Sequence, residues 1–306
     1  MNGSGLPFSK SLTIARQKGV ALVIVLWILL LVTISTGAYT LMARMDQLEA
    51  FTVLSGTQAR LAAEAGMNMA ILALRDPDEA TRLVPDGRAY TMRYEDVMVE
   101  VSVTDERGKL NINEAPEFDL VNLLTGHGLD EADAELLAAA IKDWTDPDEI
   151  ERANGAEALT YQSQGLGVGP GNRNFVMTEE VLQVIGMPWE LYLKMEPGLT
   201  VYSDSAQIEP AFAPVEALLS MPDMTEEDAL NFVDERQSED AADGAGATLP
   251  SGQVAVAPGR GLTYSILAKA TLPNGVWDQV EATIRLGGNQ QGLPYSILRW
   301  REGFHH

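Results

Sequence analysis

From Val20 to Ala43 the chain carries no charged residue, a run of 24 positions. Wound as an α-helix, such a run is about 36 Å long at about 1.5 Å per residue, more than a hydrocarbon core of about 30 Å requires. Lys10, Arg16 and Lys18 precede it and no acid does. The positive-inside bias therefore puts the N-terminus in the cytoplasm and the bulk of the chain across the membrane. A cleaved secretory signal has a shorter apolar core closed by a small-x-small site. This run is longer, and no such site stands cleanly at its end. Two readings of residues 16–28, RQKGVALVIVLWI, stay open on the residues alone. One is a permanent anchor. The other is a leader of residues 1–19, cut on the cytoplasmic side between Gly19 and Val20, that leaves the apolar helix attached.

The helical pattern continues past the apolar run. Met45, Leu48, Leu61, Ala65, Met69 and Leu72 recur at roughly helical spacing, and Asp76-Pro77-Asp78 ends them. One continuous helix from Val20 to the neighbourhood of Arg75 is expected, half of it apolar all round and half amphipathic.

Alternation of apolar and polar residues over 88–94 and 97–104, and again over 262–271, 277–286 and 294–300, predicts strands. Between these groups, Glu131–Ile141, Glu179–Ile185, Trp189–Lys194, Ala213–Leu219 and Glu226–Arg236 read as helices. Ser238–Gly252 is polar, small and glycine-rich, and is expected as a mobile loop. The fold class is α+β: a long N-terminal helix and a small antiparallel sheet, with a large all-helical subdomain inserted between strands. The divisions drawn are 20–43 for the membrane part, 44–111 for the rest of the helix and the first strands, 112–236 for the insertion, 237–252 for the loop and 253–306 for the last strands.

Two stretches inside the insertion echo each other, LNINEAPEFDLVNLLTGHGLDEADAELLAAAIKDW and AQIEPAFAPVEALLSMPDMTEEDALNFVDERQ. Each runs from an Ile-containing lead through a Pro to a short helix, a turn and a second helix whose first turn is acidic, where the helix dipole favours negative charge. This is a helix-hairpin-helix pattern, similar to SAM-like folds. Such hairpins bind DNA in many proteins, but here Asp130, Glu131, Asp133, Asp223 and Glu226 occupy them, and the formal net charge is -23 from 44 acids against 21 bases. Like charges oppose a phosphate backbone, so nucleic acid is set aside as a partner and the hairpins are read as packing units.

Other chemistry is excluded by residue type. There is no cysteine, and of three histidines only His127 lies inside the chain, which removes thiolate sites and histidine-based zinc or serine-triad chemistry. Gly-x-Ser-x-Gly and His-Glu-x-x-His are missing. Residues 165–175, GLGVGPGNRNF, lack the Gly-Lys-Ser/Thr end of a phosphate loop. An anchored enzyme remains the rival class, and no catalytic residue is assigned.

The acidic stretch KDWTDPDEIERANGAEALTY, residues 142–161, crowds Asp143, Asp146 and Asp148 together, followed by Glu149 and Glu157. Hard cations such as Ca²⁺ take about six to eight oxygens. The spacing is not that of an EF-hand, and on spacing alone a solvated acidic loop and a cation site both stand.

The lysine-glycine pair before the apolar run, the long helix and the phrase ARLAAEAGMNMAI together resemble prepilins and pseudopilins. Cleavage after Gly19 would make Ile24 the fifth mature residue, where most of those subunits carry a glutamate. With the order of helix, GKLNINEAP, helical block, QIEPAFAP and strands, the chain resembles type II secretion system protein K, a minor pseudopilin known for an apolar residue there. The resemblance covers nearly the whole chain. It implies processing by prepilin peptidase, an inner-membrane anchor, and a place at the tip of the pseudopilus with the I- and J-type minor pseudopilins. Contact with the secretin or with cargo is left open, as is a minor pilin of another type IV filament system. The family's Asp-Trp-x-Asp-x-Asp stretch followed by Gly-Ala-Glu implies Ca²⁺ bound by Asp143, Asp146, Asp148 and Glu157, with Glu149 as a lesser candidate.

Overall fold

The computed structural model describes residues 20–303 except 79–80, 168, 239–246, 257–258, 288–291 and 293. The expected leader and Gly19 therefore lie outside the described residues, and Val20 is the first residue of helix α1, Val20–Leu74. The chain divides after Ser55 into two compact units.

Residues 20–55 are helix throughout, and their large apolar side chains are exposed. By length and composition this helix can cross a membrane. Its polar side chains suit that medium. Thr33, Thr36 and Thr40 donate their hydroxyls to the carbonyls of Leu29, Val32 and Thr36 at 2.7, 2.8 and 2.8 Å, so these three protons do not face hydrocarbon without an acceptor.

In the second unit, the remainder of α1 buries Ala59, Ala62, Ala63, Met67, Ala70, Ile71 and Leu74 against one face of a sheet. The small residues allow close approach. A Cβ on Gly66 would fall 2.4 Å from Val99 Cγ1. The sheet contains β1 (Asp86–Tyr94), β2 (Val97–Asp105), β5 (Thr263–Thr271), β6 (Trp277–Leu286) and β7 (Tyr295–Glu302) in that spatial order, every neighbour antiparallel. Val97, Val99, Val101 and Val103 all point to α1, the period of two that the sequence shows.

Strands β2 and β5 pair directly, Asp105 opposite Tyr264, yet the whole helical block lies between them in sequence. It contains α2 (Glu117–Gly126), α3 (Glu131–Thr145), α4 (Ala158–Ser163), α5 (Trp189–Met195), α6 (Val215–Leu218) and α7 (Glu226–Gln237). The block is not all-helical. Strands β3 (Leu110–Asn111) and β4 (Leu199–Thr200) form a two-residue parallel ladder. The helix expected over Glu179–Ile185 is a short 3₁₀ helix instead, Thr178–Gln183, followed closely by Gly186 at φ +86. Of the expected loop, residues 239–246 lie outside the described residues. The rest is held: Ala247 and Leu249 are buried against α6 and α7, and Thr248 bridges Val254.

The echoed stretches share backbone detail. The first turn carries Gly128 at φ +98 and the second Asp223 at φ +58. Two residues on, Asp130 and Thr225 cap α3 and α7, each accepting from the backbone N–H three residues later. Two buried carboxylates fasten the block to the sheet. Asp86 on β1 meets Arg88 at 2.8 Å, and its carbonyl accepts from Arg236 of α7 at 3.0 Å. Glu106 accepts from Ser265 of β5 at 2.6 Å, pairs with Lys109 at 2.8 Å and also accepts from Thr200 of β4.

Candidate metal centre

The acidic loop runs from the last turn of α3 to the start of α4. Asp143 and Trp144 belong to that last turn, Asp146 is the residue after the helix, and Glu157 immediately precedes α4. Both loop ends are fixed by packing. The Trp144 ring stacks on Phe175 with centroids 6.0 Å apart and lies 6.1 Å from Tyr161. All three are buried.

Asp146, Asp148 and Glu157 converge. Each can offer an oxygen within 4.8 Å of the others, and among the described residues they form a group able to hold a cation. Glu157 is buried, and neither of its oxygens has a hydrogen-bond partner. Asp146 Oδ1 is likewise buried and unpartnered, as is Oδ1 of Asn172. Burial, reinforced by Asp143, Glu149 and Asp146, pushes the Glu157 carboxyl up to about 7. Uncompensated carboxylates at close quarters are what a divalent ion relieves, so the residues present fit a hard, oxygen-liganded cation. Asp148 is exposed and accepts from the Ile150 N–H at 2.8 Å.

Asp143 is placed differently. It is fully buried, and its Oδ2 accepts from the Arg152 N–H at 3.2 Å. Arg152 Nε lies 3.1 Å from its Oδ1, an ion pair without hydrogen-bond alignment. Burial raises this carboxyl above its ordinary value, against the backbone donors of Arg152 and Ala156. Asp143 thus ties the loop together from beneath, outside the convergent three. Glu149 accepts from Asn172 Nδ2 at 2.9 Å and is also outside them.

Two residues to which the sequence reading gave no role matter here. A Cβ on Gly155 would sit 2.0 Å from Asp143 Oδ2, so only glycine lets the loop close over that carboxylate. The Asn154-Gly155 pair, with Asn154 at φ +70, carries a readable turn signal. Arg152, whose Nη2 also donates to Asp146 Oδ2 at 3.0 Å, is one base among acids and has no such signal.

The family profile for Type II secretion system (T2SS), protein K matches residues 102–204, a span that holds the acidic loop. The type II secretion system protein K of Klebsiella pneumoniae is 30% identical over 211 residues, 62% of this chain and 64% of that relative. Over these spans the chain is similar to protein K of type II secretion systems. The match spans just under two thirds of the Klebsiella pneumoniae relative. The fold also resembles a chain in the crystal structure of the GspK-GspI-GspJ complex from the enterotoxigenic Escherichia coli Type 2 Secretion System. The likeness has a TM-score of 0.53 at 17% identity and covers 81% of this chain and 97% of that one. At that identity it shows the fold alone: a long helix, an antiparallel sheet and helices.

Proposed function

We propose that this chain is a minor pseudopilin of a type II secretion system that caps the pseudopilus tip with the I- and J-type minor pseudopilins. In that role it helps initiate assembly for export of folded proteins across the outer membrane. The observation that carries the reading is a membrane-length helix, α1, that runs on to bury its small face on the sheet, while a bulky helical block is inserted between two paired strands. A subunit of that bulk is awkward in every layer of a thin fibre and fits at its end. Ile24 supports the same place, since a terminal subunit has no neighbour above whose amine needs a carboxylate within the membrane. The named relative and the solved complex support the choice of system and partners. The work is association rather than catalysis.

In this reading prepilin peptidase cuts between Gly19 and Val20, α1 anchors the chain singly in the inner membrane, and the second unit lies in the periplasm. The paired hairpins are read as SAM-like packing units, supported by their matching turns and caps. The acidic loop holds Ca²⁺ through Asp146, Asp148 and Glu157, with Asp143 supporting it from below. When bound, the ion supplies charge neutralisation and rigidity to a loop that otherwise gathers like charges.

The test is purification of the full chain in detergent with its system's I- and J-type minor pseudopilins. A stable equimolar three-chain complex is expected, and a folded chain that joins neither partner overturns the tip role. A mature mass that does not begin at Val20 removes the processing step. Unchanged Ca²⁺ uptake in the double variant Asp146→Ala, Asp148→Ala removes the ion site.

A further inference from the structure

Arg152 holds an unusual position in the acidic loop. Its Nε lies 3.1 Å from Asp143 Oδ1 and its Nη2 3.0 Å from Asp146 Oδ2, while its own backbone N–H donates to Asp143 Oδ2 at 3.2 Å. One guanidinium thus spans a fully buried carboxylate and one of the three convergent ones, although its own side chain remains 44% exposed. The remaining inward oxygens, Asp146 Oδ1 and both of Glu157, have no donor. The positive charge lies on the Asp143 side of the cluster and leaves the Glu157 side bare.

We propose that Arg152 is a resident counter-cation of this loop, which keeps it folded without metal and yields the Asp146 carboxylate when a divalent ion arrives. The inference rests on the reading that the loop binds Ca²⁺. A guanidinium and a divalent ion compete for the same carboxylate, and where both stay close their charges repel. Arg152 therefore lowers the affinity for the ion and stabilises the ion-free chain. Its exposed stem gives the head room to move into solvent without disturbing the packing of Trp144, Tyr161 and Phe175. A residue that only braced the loop would stabilise both states and tighten ion binding.

The experiment compares wild type, Arg152→Gln and Arg152→Lys as full chains in detergent. Each is stripped with EGTA, titrated with CaCl₂ by calorimetry, and melted with and without the ion. Arg152→Gln is expected to bind Ca²⁺ about five- to tenfold more tightly, the scale of losing one partly exposed, doubly engaged ion pair. Its ion-free form is expected to melt at lower temperature. Arg152→Lys, which keeps the charge, stays near wild type in both. If both wild type and Arg152→Gln take up Ca²⁺ but the variant binds equally or more weakly, the counter-cation role is overturned and the Ca²⁺ reading stands. If the variant alone takes it up, wild-type Ca²⁺ binding and the yielding of Asp146 are both overturned, and only the role of Arg152 as a charge that opposes the ion stands. Uptake by neither overturns both. If Arg152→Gln does not fold, a tighter-binding Arg152→Lys refutes the claim that charge is what opposes the ion.

Discussion

Replacing Glu157 with Gln should stabilise the metal-free protein. The carboxylate is buried with neither oxygen hydrogen-bonded, and Asp143, Glu149 and Asp146 add like charge around it. Its pKa rises from an ordinary 4.5 to about 7. The folded chain therefore holds this proton over a range where the unfolded chain has lost it. Stability from this group is fully present below the unfolded value, falls as pH rises, and is fully lost above about pH 7, amounting to about 3 kcal/mol at about 1.4 kcal/mol per pH unit. Glutamine keeps the volume, removes the charge and offers N–H donors toward Asp146 Oδ1, which has none. Urea unfolding in EGTA at about pH 8 should show Glu157→Gln more stable by about 2–3 kcal/mol, with the gain shrinking toward about pH 4.5. Saturating Ca²⁺ should reverse the order, since wild type alone keeps the third anionic ligand. A variant less stable than wild type in EGTA at high pH, or a gain that does not vary with pH, would refute the account of this carboxylate.

Gly155→Ala should cost about 1–3 kcal/mol and weaken Ca²⁺ uptake, because the new Cβ would meet Asp143 Oδ2 at 2.0 Å; unfolding and calorimetry check it. Gly198→Ala should cost a similar amount, about 1–3 kcal/mol, since its Cβ would fall 2.6 Å from the backbone nitrogen of Ala217, and it should leave ion binding unchanged in the same titration. Asp223→Gly should stabilise by about 0.5–1 kcal/mol by relieving a φ of +58 in the second hairpin turn, visible as a raised denaturation midpoint.

Much of the architecture is legible in the sequence because single-period signals dominate it. The charge-free run and the small residues after it predict one helix, and α1 is that helix. Alternating valines predict β2, and 277–286 is β6 to the residue. Non-local features are harder to read. The β3–β4 ladder joins Leu110 to Leu199 with two residues per strand, too short for any period to register. The turn of 3₁₀ helix at Thr178–Gln183 has α-helical composition, and nothing in its residue pattern marks the 3₁₀ form. In the loop, the acids announce themselves by crowding. The division of labour between Asp143 below and Asp146, Asp148 and Glu157 above depends on where Arg152 folds back, and that is set in three dimensions.

The direct pairing of Asp105 with Tyr264 means that the helical block leaves and rejoins the sheet at adjacent points. By topology it is a cassette: a short hairpin turn could replace it without changing the register of any strand. The clamps say otherwise. Excising it would strip Arg236 from Asp86 and Thr200 from Glu106, stranding two buried carboxylates with part of their partners gone. A trimmed version would need neutral residues at both positions. The same coupling makes the second unit prone to melt as one body rather than as block and sheet in turn, so a load applied to the helices is passed to the strands and on to α1 with little slack.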